Sequence, residues 1–430
     1  MTTITPIPSN ALAQPSQKFE LNIEALRGFA ALIVVFHHAI LHKFSLDPAY
    51  SLSGSWVNAL PGHSSVLLFF ILSGYVIGLT NTKALTTKSV FPYLRKRLVR
   101  LYPIYIISLL FTLVIISRHY SFGTIAGHFL FLQNSLVPSI FENNPLWPLN
   151  NEVLYYLAFI PVSYFGLRPS RICLVAALIG IICGTIVPLP LLSSYSFGFI
   201  FWTSGLWLAQ SRIFIKRNAT HWLLFGLLFL FLGYEFLNPF IMAVLLMDTK
   251  LHIHFIHPTG PGISLGDVFQ LPFYFYLFLR YTNHTIRYNR LFITAFVALG
   301  IFYFNYIVFR YGVHSSQVAY LFLPILFFII GIGCLFINVL RPQSTTVIAL
   351  PYPFIKLGAI SYGIYVIHFP ISIMLSHITV FSGTILTYCI RLAVDLLLVL
   401  TAGYLLELKV QPFFKAILSK KPAVILIETI

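Results

Sequence analysis

Residues Leu26–Ala39 read LRGFAALIVVFHHA: an apolar run that opens beside an arginine and carries two adjacent histidines, His37 and His38, deep inside it. Charged and titratable side chains are costly in hydrocarbon, so each one within an apolar segment needs a structural partner or a chemical task. The run predicts a transmembrane helix over 25–43, and the rest of the chain repeats the same apolar pattern.

Of the 430 residues, 58% are hydrophobic and only 9% charged, where a soluble domain carries about 25% charged residues. The depletion runs the whole length, and 42 Phe and 24 Tyr supply lipid-facing and interfacial rings. A water-soluble globular chain is excluded. Apolar stretches of spanning length recur at 25–43, 64–81, 98–117, 150–167, 172–189, 195–210, 221–238, 266–281, 291–309, 318–339, 358–379 and 384–406. The expected fold is all-α, a polytopic transmembrane helix bundle of about 10–12 spans. Residues 124–138 are expected to be re-entrant or interfacial. Strand alternation is absent, which excludes an outer-membrane barrel.

The polar, Pro- and Ser-containing stretch 1–20 lacks the basic start and apolar centre of a signal peptide and is expected to be a mobile tail. Residues 21–408 then form the transmembrane domain and 409–430 a cytoplasmic C-terminal tail. Cys173, Cys183, Cys334 and Cys389 lie in apolar runs without a Cys-x-x-Cys pair, so neither a disulfide framework nor a zinc site is expected. Lys and Arg set the orientation. With both termini cytoplasmic, only Lys43, Arg118, Lys250, Arg310 and Arg391 of the 27 basic residues fall on the outer side. The formal charge of +16 thus records sidedness in a plasma (inner) membrane and implies no nucleic-acid partner.

In a helix over 25–43, eleven steps of ~100° carry Arg27 to His38 about 20° past full turns, with a rise of ~16 Å. The two side chains share a face. A cation at the inner edge and a mid-membrane imidazole would line a path leading in from the cytosol. A snorkelling Arg27 with a hydrogen-bonded interior His38 remains the alternative. His37 points ~100° away, toward packing.

Five segments together resemble the acyltransferase-3 family of integral-membrane O-acyltransferases. The lead-in Glu24–Gly28, with an arginine followed after ten residues by a histidine, is similar to that family's opening. LLFFILSGYVIG (Leu67–Gly78) resembles its Phe-Phe-x-x-Ser-Gly segment and contributes Ser73 and Gly74. Leu67 stands where many relatives carry an acid, so no role of that acid transfers here. YLRKRLVRLYPIY (Tyr93–Tyr105) matches the basic entry to the third helix, with Arg97, Arg100, Pro103 and Tyr105 in place. LWPLNNEVLYYLAF (Leu146–Phe159) resembles the Trp-x-Leu-x-x-Glu-x-x-x-Tyr segment through Trp147, Asn150, Glu152 and Tyr156. Pro148 replaces the family's usual Ser or Thr. LGAISYGIYVIHFPI (Leu357–Ile371) supplies Ser361, Tyr362, Tyr365 and His368, the last two on one helical face.

The resemblance implies O-acyl transfer from a cytosolic acyl-CoA, acetyl-CoA foremost, to a hydroxyl of a carbohydrate or glycoconjugate. Acyl-CoA is then a co-substrate; no permanently bound cofactor and no metal are expected. A neutral histidine in a partly dry site can accept the attacking hydroxyl's proton, which makes His38 the expected base. Glu152, at the outer mouth of its helix, would position the acceptor. Arg27, Arg97 and Arg100 would hold the donor, its phosphates matching guanidinium geometry. His37, Ser73, Tyr105, Trp147, Asn150, Tyr156, Tyr362, Tyr365 and His368 are the expected site lining. The rival reading is a proton-coupled transporter or flippase of a polar or glycan substrate, with Arg27, His38, Glu152 and His368 as a relay; no inverted repeat accompanies it. His252, His254 and His257 come without a supporting carboxylate for metal binding. Glu235 and Asp267 are expected to meet a polar acceptor or water, and Asp395 to pair with Arg391 along its helix.

Overall fold

Each apolar stretch is helical over most of its length. The computed structural model describes residues 15–54, 57, 59–211, 213–238, 262–340 and 352–419. In chain order these form α1 (Pro15–Leu41), α2 (Gly62–Thr80), α3 (Thr87–Ile115), α4 (Phe122–Phe129), a 3-10 turn (Phe141–Leu146), α5 (Trp147–Tyr164), α6 (Pro169–Thr185), α7 (Pro190–Gln210) and α8 (His221–Tyr234). There follow α9 (Leu265–Val268), α10 (Leu271–Tyr281), α11 (Asn289–Tyr311), α12 (Ser316–Tyr320), α13 (Phe322–Leu340), α14 (Tyr352–Ala359), α15 (Ser361–Ser376), α16 (Ile385–Leu405) and α17 (Gln411–Ser419). One short antiparallel pair, β1 (Ile215–Lys216) with β2 (His284–Thr285), ties two loops. Two boundaries differ from expectation: α1 begins inside the stretch read as a tail, and α17 occupies part of the C-terminal one. The histidines at 252–257 lie outside the described residues.

Six described helical stretches are long and apolar enough to cross a membrane: Leu21–Leu41, Gly62–Thr80, Thr87–Ile115, Asn289–Tyr311, Phe322–Leu340 and Ile385–Leu418. The pair α14–α15, bent by 81°, makes up to a seventh. The other expected spans fall short for physical reasons. The 11 residues of α10 cover only ~16 Å of a ~30 Å hydrocarbon core, and α6 and α8 are also short. α5 carries Asn150, Asn151 and Glu152, and α7 a series of serines. Such side chains are kept where protein surrounds them: in α7, Ser193, Ser194, Ser196, Thr203 and Ser204 are buried. The peripheral helices α11 and α13 instead present Phe302, Phe309, Ile329 and Phe336 outward, as a lipid-facing surface does.

Two glycine approaches set the interior. A Cβ on Gly74 of α2 would lie 1.8 Å from the Trp202 carbonyl oxygen of α7, and one on Gly205 of α7 would lie 1.8 Å from the Ile71 oxygen. The α1–α14 contact is built the same way: Cβ atoms on Gly28 and Gly358 would meet the Phe354 and Glu24 carbonyl oxygens at 2.2 and 2.0 Å. Small residues let backbones touch where apolar burial alone gives lipid-embedded helices little reason to associate. The glycine of the Leu-Arg-Gly motif therefore docks α14 beside Arg27.

The connection after α3 is fixed by polar contacts. Buried Glu142 accepts hydrogen bonds from the Ser117 backbone N–H (3.1 Å), the Ser117 hydroxyl (3.0 Å) and Tyr120 (2.7 Å). Burial pushes its carboxyl up, but these donors prevail and hold it below the usual carboxylate range. Arg391 does not pair with Asp395. Its guanidinium gathers the carbonyls of Leu46, Leu375, Phe381, Ile378 and Val380, with Asp47 at 3.8 Å, while Asp395 accepts from Ser372 at 2.9 Å. The carbonyls at the end of α15 offer the guanidinium more partners than one carboxylate on its own helix.

Gly205→Leu should destabilise the fold by at least about 3 kcal/mol through overpacking, seen as loss of the monodisperse peak in size exclusion. Glu142→Gln should cost about 1–3 kcal/mol near pH 7. Because a depressed carboxylate stabilises above its unfolded pKa and stops doing so as pH falls through its folded one, the gap from wild type should close below about pH 4. Thermal unfolding across pH measures it.

Candidate functional site

A cavity of about 320 Å³ opens between α1, α2, α3, α5 and the start of α15. Arg27, Ser73, Arg97, Arg100, Glu152, Tyr156, Tyr362 and Tyr365 give it a polar side, and Val66, Phe69, Leu72 and Leu149 an apolar one. The α1–α14 glycine contact brings Arg27 beside the α14–α15 bend, and α3 presents Arg97 and Arg100 from its basic first half.

The three arginines differ in what they already hold. Arg27 donates to Glu24 at 2.6 Å. Arg100 makes a two-pronged pair with Glu407, at 2.7 and 3.0 Å, and lies over the Tyr362 ring. Arg97 pairs with no carboxylate among the described residues. It lies over the rings of Tyr93 and Tyr156, reaches Thr80 only at 3.4 Å, and has a buried Nε without a hydrogen-bond partner. Buried donors are normally satisfied, so Arg97 is the cation left open to a ligand.

Facing them, Glu152 Oε1 accepts from the Ser73 hydroxyl at 2.8 Å and from Tyr156. Trp202 of α7 donates its indole N–H to Ser73 at 3.2 Å. The Ser-Gly pair of α2 thus has two tasks: Gly74 admits α7, and Ser73 links Trp202 to Glu152. Glu152 lines the same cavity as the three arginines, a little more than a turn into α5, which starts at Trp147.

His38 is not among the residues lining this cavity. It sits in the last turn of α1, near the helix end rather than halfway along. His38 Nδ1 lies 2.9 Å from the Val34 carbonyl, and His368 Nδ1 lies 2.7 Å from the Tyr365 carbonyl. A carbonyl only accepts, so both Nδ1 atoms carry protons. The 3.2 Å contact between His38 Nδ1 and His368 Nε2 is then a shared N–H, and His38 Nε2 keeps its lone pair. Tyr365 connects this pair to the cavity: it lines the cavity, and its ring centre is 6.1 Å from that of Phe69 and 6.1 Å from that of His368.

Other expected lining residues stand elsewhere. His37 donates to the Leu60 carbonyl at 2.7 Å and packs on Gly62. Tyr105 donates to the His128 carbonyl at 2.7 Å and stacks on Phe131, fastening α4. Asn150 bonds the Phe131 carbonyl and Tyr195. Trp147 lines a second cavity. Sequence reasoning missed Glu407, Glu24 and Trp202, although the scarcity of acids, 11 in the chain, was a signal for the first two. It also missed His63, which bonds Asp267 at 3.0 Å, while Ser64 donates to Glu235 at 2.6 Å. These two acids hold partners in the bundle instead of meeting water.

The acyltransferase-domain family (Acyl_transf_3) matches residues 20–266. The chain belongs to this acyltransferase family. The match takes in Arg27, Ser73, Arg97, Arg100 and Glu152, while α15 with Tyr362 and Tyr365 lies beyond it. Among curated relatives, the chain is 36% identical over 97 residues to protein 2 in the picA locus of Rhizobium radiobacter, covering 22% of this chain and 44% of that one. It is 29% identical over 216 residues to a candidate acetyltransferase, ORF330, of Acidianus two-tailed virus (48% and 61%). It is 30% identical over 155 residues to the acyltransferase MdmB of Streptomyces mycarofaciens (33% and 38%). The chain thus spans less than two thirds of each of these relatives. No solved structure matches it.

Removing Arg100 would strand Glu407, which is buried. Because the Arg100 side chain is 41% exposed, the cost of Arg100→Gln should be discounted to about 1–2 kcal/mol, against about 0.5 kcal/mol or less for Arg97→Gln. Melting curves of the two variants measure the difference.

Proposed function

We propose that this chain is a membrane O-acyltransferase that moves an acyl group, acetyl foremost, from a cytosolic acyl-CoA to a hydroxyl of a carbohydrate acceptor. One observation carries the reading: an arginine with spare hydrogen-bonding capacity, Arg97, lies over the Tyr156 ring beside Glu152 and Ser73, in a cavity that also has an apolar wall. That combination suits a donor with an anionic head and a long arm.

In this reading Arg97 takes a donor phosphate, with Arg100 and Arg27 adding positive field while they stay paired. The pantetheine arm runs along Val66, Phe69, Leu72 and Leu149. Its acyl end passes the Phe69–Tyr365 ring pair to reach the imidazoles beyond. His38 Nε2 accepts the proton of the acceptor hydroxyl as the new C–O bond forms, the C–S bond breaks, and the thiolate leaves with coenzyme A. Val34 and His368 hold His38 in the tautomer that leaves Nε2 bare. Glu152 orients the polar groups that enter beside it. The basic end of the bundle faces the cytosol, in keeping with the Lys and Arg bias.

Purified protein given acetyl-CoA and a glycan acceptor should release coenzyme A in step with acylated sugar. His38→Ala should lower kcat by about 10²–10⁴ with insertion retained, and full turnover in that variant would remove His38 from the mechanism. Arg97→Gln should raise KM for acetyl-CoA about tenfold, or about 1.4 kcal/mol, with kcat little changed. Reporter fusions after Gly127 should read the exterior and those after Arg341 the cytosol; the reverse would put the basic cavity on the wrong side for its donor.

A further inference from the structure

A second cavity, of about 590 Å³, adjoins the first across α5. The walls come from the segment 134–139, from Asn144, Trp147 and Asn151, and from the start of α7 at Pro190, Leu191, Ser194 and Tyr195.

Among the described residues no charged side chain lines this cavity, in a chain of net charge +16. That makes it a poor place for a phosphate and separates it in kind from the arginine cavity. Its walls combine aromatic rings with carboxamides and hydroxyls. A carboxamide carries a donor and an acceptor side by side, which matches the adjacent hydroxyls of a pyranose, and an indole covers the apolar C–H face of such a ring.

Several wall groups are unused. The buried Nδ2 of Asn134 has no partner, and its residue is held at φ +61°, in the left-handed region. Neither the Asn144 carboxamide nor the Trp147 indole N–H makes a hydrogen bond among the described residues. The Asn144 and Trp147 groups are open to solvent, so a ligand can take the place of water on them. Other groups hold the walls still. Tyr195 donates to Asn150, which also donates to Ser135 at 3.2 Å. The Trp147 ring stacks on His63, centres 6.0 Å apart and planes 19° apart, and Asp267 fixes His63 at 3.0 Å.

The two cavities meet along a single turn of α5. Trp147 and Asn151 line the uncharged one; their neighbours Pro148 and Glu152 line the basic one. We infer that the uncharged cavity is a subsite for a neutral sugar unit of the acceptor, which it holds by Trp147, Asn134, Asn144 and Asn151 while an adjoining hydroxyl reaches the acyl group. This rests on the acyltransferase reading above, and it adds both the place of the acceptor and the requirement that the bound unit carry no charge.

The test is isothermal titration of the detergent-solubilised full chain with maltotriose, triacetylchitotriose and methyl rhamnoside, and separately with acetyl-CoA. At least one neutral saccharide should bind. Asn144→Leu, which alters a side chain with no internal hydrogen bond, and Trp147→Phe, which keeps a ring but loses the N–H, should each weaken it about tenfold. Acetyl-CoA binding should be unchanged in both variants. Absence of saccharide binding in the wild type, or saccharide affinity in both variants equal to that of the wild type, overturns the subsite. Saccharide binding without any acyl transfer would leave the subsite standing and sink the acyltransferase reading instead, so the two failures are told apart.

Discussion

A guanidinium that enters an apolar bundle has to be answered there, and the arrangement of this protein follows from how its few acids are spent. Glu407 answers Arg100 with two hydrogen bonds, and Glu24 answers Arg27. Where no acid is available, backbone carbonyls serve, as around Arg391 and around Arg280, which reaches the carbonyls of Arg217, Asn218 and His284. Arg97 is the departure from this rule within the cavity. A cation kept without an acid, with a buried N–H idle, has a standing cost, and an anionic ligand would offset it.

The bundle is layered by polarity more than by helix length. Shorter or more polar helices, α5, α7 and α10, stand inside, where other helices satisfy their Asn, Ser, Thr and Tyr side chains. Longer and more uniformly apolar ones, α11, α13 and α16, lie outside and expose large hydrophobic side chains. Glycine-mediated contacts bind the layers. They bring α2 against α7 and α1 against α14, and each contact places a site group as well: Ser73 beside Trp202, Arg27 beside the α14–α15 bend.

α5 is the element on which the two cavities converge. Its first two turns carry Trp147 and Asn151 to one cavity and Pro148, Leu149 and Glu152 to the other. Neutral carboxamides and an indole face one compartment, and a carboxylate faces arginines in the next. One turn of helix thus separates a basic compartment from an uncharged one. The His38–His368 pair, reached past Tyr365, is held by main-chain carbonyls on its own two helices, so its tautomer is set before any substrate arrives.

The sequence by itself determined the all-helical membrane class, the positions of the helices, and the family. Composition and apolar run length report the local preference of each segment for hydrocarbon, and that preference needs no knowledge of neighbours. It also brought forward Arg27, Ser73, Arg97, Arg100, Glu152, Tyr156, Tyr362 and Tyr365, which do share a cavity. Helical spacing put Arg27 and His38 on one face but could not say that the cavity ends at Tyr365 between them. Nor could it say that Tyr105 and His37 fasten loops, that Trp147 belongs to a different pocket, or that Glu407 claims Arg100 from 307 residues away. Those outcomes depend on which helices are neighbours. Adjacency is fixed by glycine contacts and by competition among distant groups for few charged partners, and neither is encoded in any local window of the chain.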